Sequence, residues 1–306
     1  MTAKIRDVTL RDGLQLSDGQ LPTEDRVRLV RALLELGFDS LEIGSMARPD
    51  LVPSMAPSMD VVAALTPEEL AHCWIWVATP KQVRRAAEAG VRGVQYCLSV
   101  TDEHNRANIG RDTETSMAAL PEALEIAAEH DVAVQLCLAT SFTCPFTGPV
   151  APERVLALVA DARGQGCSDV VIADTLGQAS PGEVASLTGR VVAAAGTRPV
   201  TFHGHDTWGM GVANALAAIE AGAQTVDGAL GGLGGCPFAP GASGNTATED
   251  LAFAIRPEGV RPESFRSLVE LGEQVLGTLG EVSRSRAGQG SRSRATAFDW
   301  TFAAAS

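Results

Sequence analysis

The stretch SDVVIADTLGQASPGEVASLTGRVVAAAG, residues 168–196, decides the architecture. It holds an unbroken apolar run, VVIA at 170–173, of the kind a strand buried on both faces requires. A short polar loop follows. Ser180-Pro181 then places a hydroxyl cap and a first-turn proline at the head of a helical stretch expected over 180–196. A strand covered on both faces and followed by a helix is one unit of a parallel α/β sheet.

The same unit recurs along the chain. Strands are expected near 4–10, 39–43, 73–78, 92–98, 131–139, 168–173, 199–205 and 223–229. Helices are expected near 22–37, 56–65, 80–90, 112–130, 151–166, 180–196, 208–222 and 245–255. Thr79-Pro80 and Ala151-Pro152 repeat the proline start, and Gly37, Gly90 and Gly222 stand where helices should end. Eight such units in about 255 residues give an α/β fold of the (β/α)8 TIM-barrel type. An open doubly wound sheet is the rival arrangement, but Arg11-Asp12-Gly13-Leu14-Gln15 after the first strand is no dinucleotide fingerprint. The catalytic barrel is placed at 1–258. Residues 259–306 form a C-terminal helical extension: one helix pattern over 261–283, then an Arg/Ser-rich tail at 284–297 expected to be mobile.

Composition narrows the function. The 306 residues carry 24 Lys plus Arg against 37 Asp plus Glu, a net charge of −13, which argues against nucleic acid as a partner. Only Lys4 and Lys81 are lysines, so there is no Walker A loop and little scope for Schiff-base chemistry. Six cysteines, spaced singly, read as reduced thiols of a cytoplasmic protein. No apolar stretch reaches the ~20 residues of a membrane span.

In a barrel the chemistry gathers at the C-terminal ends of the strands. There lie Arg11 and Asp12 after strand 1, Glu42 in strand 2, Asp174 after strand 6, His203 and His205 on strand 7, and Cys236 and Asn245 after strand 8. His203-Gly204-His205 is the sharpest signal, because residues two apart on a strand share a face and two imidazoles can grip one ion. Asp12 and Asn245 are the oxygen donors at hand. A thiolate-free N/O set suits Mg2+ or Mn2+ better than Zn2+. Asp12-Gly13 is also ordinary turn chemistry, and Asn245 stands where it would cap the helix expected at 245–255. Arg11 offers a fixed cation to a developing oxyanion. Residues 228–244 hold seven glycines around Cys236, which reads as a mobile active-site loop delivering a thiol.

Five segments resemble the 3-hydroxy-3-methylglutaryl-CoA (HMG-CoA) lyase family, a member of the DRE-TIM metallolyases. They are TLRDGLQ (9–15), SLEIGSMARPDLVPSMA (40–56), IADTLGQASPGEV (172–184), FHGHDTWGMGVANALAAIEAG (202–222) and DGALGGLGGCPFAPGASGNTATEDL (227–251). The resemblance implies a divalent ion on Asp12, His203, His205 and Asn245, with Arg11 stabilising an enolate. It also implies Cys236 as loop acid/base and Glu42 and Asp174 as supporting catalytic residues. The implied reaction is metal-dependent retro-Claisen cleavage of an HMG-CoA-like substrate to acetyl-CoA and a 3-oxo acid, with His203 or Asp12 as base. A homodimer or higher homo-oligomer is expected. The main alternative is a Claisen or aldol-type synthase, or a lyase for another acyl-CoA or 2-oxo acid, on the same metal site. Two departures stand out: Val8-Thr9-Leu10 precedes Arg11 as in the synthases, and no basic cluster for the CoA 3′-phosphate is evident within the barrel.

Overall fold

The first and last strands meet in parallel register, Lys4 against Thr225 and Arg6 against Asp227, and this pairing closes the sheet into a cylinder. In this computed structural model the described residues are 3–17, 19–235, 243–258, 260–294 and 298–302. The strands are β1 (Lys4–Asp7), β2 (Leu41–Ser45), β3 (Cys73–Val77), β4 (Gly93–Ser99), β5 (Ala133–Ala139), β6 (Asp169–Asp174), β7 (Val200–Gly204) and β8 (Thr225–Gly228). Each pairs with its sequence neighbours in parallel, and β1 joins β2 through Asp7 and Leu41. A closed eight-stranded parallel barrel with helices between its strands is the (β/α)8 fold, so the doubly wound alternative is set aside.

Alternate strand residues face outward into the shell between sheet and helices. Ile43, Ile75, Val94, Leu136, Ile172 and Val200 are fully buried there against Leu33, Val83, Ala123 and Val184. The proline starts are where the sequence puts them: helices begin at Pro80, Pro152 and Pro181, and the last has Ser180 and Glu183 in a reciprocal capping box. Gly37, Gly90 and Gly222 all adopt positive φ past helix ends.

Several boundaries differ from expectation. β1 stops at Asp7, and residues 9–13 wind into a π-helical turn in which the Gly13 N–H reaches the Val8 carbonyl at 3.1 Å. The helix expected over 112–130 is two, Thr113–Ala118 and Leu120–Glu129, divided just before Pro121, which has no N–H to continue the ladder. Asn245 does not cap a helix: the helix starts at Thr248 with Ala247 before it. Three short helices, Pro67–Leu70, Asp102–Ile109 and Arg286–Gly290, go unforeseen.

Over 284–294 the Arg/Ser-rich tail makes polar contacts with the barrel. The Arg284 N–H donates to the Gly231 carbonyl at 2.8 Å and its Nη1 to the Gly232 carbonyl at 2.9 Å. Ser285 Oγ donates to Asp250 at 2.8 Å. Farther on, Trp300 packs at a tilt against Phe265, ring centroids 5.2 Å apart, after the helix Pro262–Leu279. The anchorage is mostly polar, which hydrophobic periodicity does not register.

Candidate active site and metal centre

The site forms at the C-terminal rim, where β1, β2, β7 and β8 hand over to their loops. The π-helical turn after β1 projects Arg11 and Asp12 toward the barrel axis. Thr9 holds the turn in place: its N–H donates to Asp7 Oδ1 at 3.0 Å, and its Oγ1 accepts the Leu230 N–H at 2.8 Å. β7 carries His203, and His205 follows at its end. Gly204 between them has to be glycine, because a Cβ there would lie 2.6 Å from the Phe202 ring.

Both imidazoles turn toward Asp12. His205 Nε2 lies 3.1 Å from Asp12 Oδ2, and His203 Nε2 lies 3.9 Å from the same oxygen. The ligand atoms of these three residues all fall within 4.8 Å of one another, a spacing one ion can bridge. Asn245 arrives from the far side of the glycine-rich run, with Nδ2 2.9 Å from Asp12 Oδ2. Gly234 permits this approach, since a Cβ there would come within 2.6 Å of that Nδ2. Asn245 Oδ1 and His205 Nδ1 are buried without hydrogen-bond partners. A buried carbonyl oxygen left without a donor beside a carboxylate and two imidazoles fits a cation. The set Asp12, His203, His205 and Asn245 thus suits a divalent metal.

Arg11 flanks the set. Its guanidinium bonds Asp12 Oδ1 through Nη1, approaches Glu42 Oε2 to 3.7 Å, and lies over the Trp76 ring with its carbon 5.6 Å from the centroid. Charge balance follows from these contacts. Burial raises Asp12, but Arg11 and then the hydrogen bond from His205 outweigh it and hold the carboxyl well below the usual range. Burial raises Glu42, and Arg11 and Arg6 only partly offset that. For His203 burial works against protonation, yet the hydrogen bond to Asp227 and the Asp12 charge win and raise it.

Asp227 is the residue the sequence reading missed. Its Oδ2 lies 3.0 Å from His203 Nδ1, while Arg6 grips both its oxygens at 2.9 and 2.7 Å. The available signal was Asp227-Gly228 ending the strand beside the one that carries the two histidines.

Two expected residues stand differently. Asp174 is buried at the end of β6, but its carboxylate accepts the Gln178 and Ala179 N–H groups at 3.1 and 3.0 Å, so it shapes the following loop. Cys236 lies outside the described residues. A cavity of about 700 Å³ opens above Arg11, Asp12, Glu42, His203 and His205, walled by Trp76, Met55 and Ile109 among others.

Comparison with known proteins gives the family. The HMGL-like family profile matches residues 2–275. The chain is similar to (R)-citramalyl-CoA lyase of Chloroflexus aurantiacus, 37% identical over 90% of each chain. It is also similar to hydroxymethylglutaryl-CoA lyase of Pseudomonas mevalonii, 33% identical over 93% of this chain and 95% of that one. It spans 63% of the length of a mitochondrial hydroxymethylglutaryl-CoA lyase from Arabidopsis thaliana. Among solved structures, an HMG-CoA lyase from Acinetobacter baumannii in complex with coenzyme A and 3-methylmalate superposes with a TM-score of 0.86 at 32% identity, covering 94% of both chains. No described helix is long and apolar enough to cross a membrane. The chain belongs to the HMGL-like family and is a carbon–carbon lyase.

Proposed function

We propose that the protein cleaves a tertiary 3-hydroxyacyl-CoA of the HMG-CoA type to acetyl-CoA and a 3-oxo acid, acetoacetate when the substrate is HMG-CoA. One observation carries this reading: Asp12, His203 and His205 converge beside the Arg11 guanidinium on the floor of one cavity, with Asn245 against Asp12. Those four residues would hold Mg2+ or Mn2+, which supplies Lewis-acid polarisation of the substrate's tertiary hydroxyl.

The protein's own groups do the rest. With the ion left to Asp12, His205 and Asn245, His203 would take the hydroxyl proton at Nε2, Asp227 behind Nδ1 favouring the charged ring. The C2–C3 bond then breaks and its electron pair passes into the thioester as an enolate. Arg11, held by Asp12, Glu42 and the Trp76 face, is placed to meet that oxyanion. Cys236, which follows β8 in the sequence, returns a proton to C2. Glu42 orients Arg11, and Asp174 braces the β6 loop. Free thiols at all five described cysteines accord with a cytoplasmic setting.

The 37% identity to a citramalyl-CoA lyase makes that shorter tertiary hydroxyacyl-CoA the second substrate to test. Purified protein with Mn2+ or Mg2+ is offered HMG-CoA and (R)-citramalyl-CoA, and products are followed by mass spectrometry. Metal-dependent acetyl-CoA release with acetoacetate or pyruvate is expected. Release from neither thioester would overturn the reading.

A further inference from the structure

Cys97 on β4 and Cys137 on β5 are direct partners in the parallel register. Partners in register project to the same side of a sheet, and neighbouring strands lie about 4.8 Å apart, so the two sulfurs stand side by side. Both line the cavity, and together with Trp76, Ala78, Ala139 and Val171 they make a small apolar cluster separate from the main core. The other described cysteines, Cys73, Cys144 and Cys167, are embedded in that main core and do not reach the cavity. Neither cavity thiol has a part in the proposed cleavage.

The surroundings make the pair chemically competent. The two thiols are neighbours across the strand pair, and the Arg11 charge acts on both. The adjoining Cys137 thiol, aided by Arg11 against burial, lowers the Cys97 thiol below its ordinary range. Two adjacent sulfurs on rigid strands hold one soft, three-coordinate centre without moving the backbone.

We propose that Cys97 and Cys137 form a dithiol site in the cavity floor that captures a single trivalent thiophilic centre of the organoarsenical class. With an aryl arsenoxide, two As–S bonds form and the As–O bonds break. The two thiol protons leave with that oxygen as water, and no group is oxidised or reduced. The aryl group then occupies the floor beneath Arg11.

Phenylarsine oxide tests the proposal on the intact protein by mass spectrometry, a readout independent of lyase activity. One phenylarsenic adduct per chain is expected, removed by a dithiol and resistant to a monothiol. It should vanish in Cys97→Ser and Cys137→Ser and persist in Cys73→Ser and Cys236→Ser. Should the serine variants fail to fold, the wild-type protein still decides: after capture, iodoacetamide should leave Cys97 and Cys137 unalkylated and modify them freely without it. Protection of any other pair, loss of the adduct in Cys236→Ser, or no adduct at all overturns the assignment.

Discussion

His203 Nδ1 sits 3.0 Å from Asp227 Oδ2, and that same carboxylate is clamped by Arg6 from the opposite strand of the closure. The proton position on the His203 ring is thereby set by a residue that does not reach the cavity. Neutralising the clamp should spoil the ring's charge preference while leaving the ligands in place. Asp227→Asn is expected to lower kcat by about 10–100-fold, as losses of such supporting partners do. The acidic limb of the kcat/KM profile, set by protonation of the His203 base, should move to lower pH with it. Unchanged pH dependence would contradict the role given to Asp227.

Arg11 makes a lateral grip on Asp12 and Glu42 with one planar group. Arg11→Ala should reduce kcat on the order of 10²–10³-fold. Arg11→Lys should recover little of it, because an ammonium is a point charge that cannot span both carboxylates or stack on Trp76. Steady-state kinetics of the two variants check this, and near-normal turnover in either removes Arg11 from the enolate site.

Metal binding to the folded chain should raise its thermal stability. At a hundredfold excess over Kd, Mn2+ is expected to add about 2.7 kcal/mol. His205→Ala removes the imidazole closest to Asp12 and should abolish most of the Mn2+-induced rise in Tm. A full rise in that variant would place the ion elsewhere.

Glu249 provides a pH signature away from the chemistry. It is buried, and burial pushes its carboxyl up to about 8, with the Gly231 N–H at 2.9–3.0 Å only partly opposing. Unfolded, it titrates near 4.3. Between those values the folded protein holds a proton the unfolded chain has released, so stability falls as pH rises through that window. Glu249→Gln should therefore gain Tm over wild type at pH 9 and show little gain at pH 4. Parallel Tm–pH curves would refute it.

Much of this was readable from the chain because barrels write their units locally. VVIA at 170–173, the proline starts and the C′ glycines each report one element, and the HGH triplet reports a face. What stayed hidden depends on contacts far apart in sequence. Asp227 becomes part of the site only because β8 lies beside β7 and opposite Arg6 on β1. Asn245 fitted a helix cap equally well until the approach at Gly234 turned it onto Asp12. Asp174, at the right end of its strand, spends its oxygens on the loop backbone, which no spacing announces. The 284–294 segment folds back through polar anchors that leave no periodic trace.

Arg6 and Asp227, with Gln135 against the same guanidinium, plug the axis of the cylinder below the ion site. Among the described residues the axis is closed on that side, so the cavity is reached from the rim. Under the proposed cleavage, the fragment tethered to a long carrier would stand nearer the exit and leave first, the keto acid second. Product-inhibition kinetics should reveal that sequence, the keto acid competing directly with incoming substrate and the thioester in a mixed fashion.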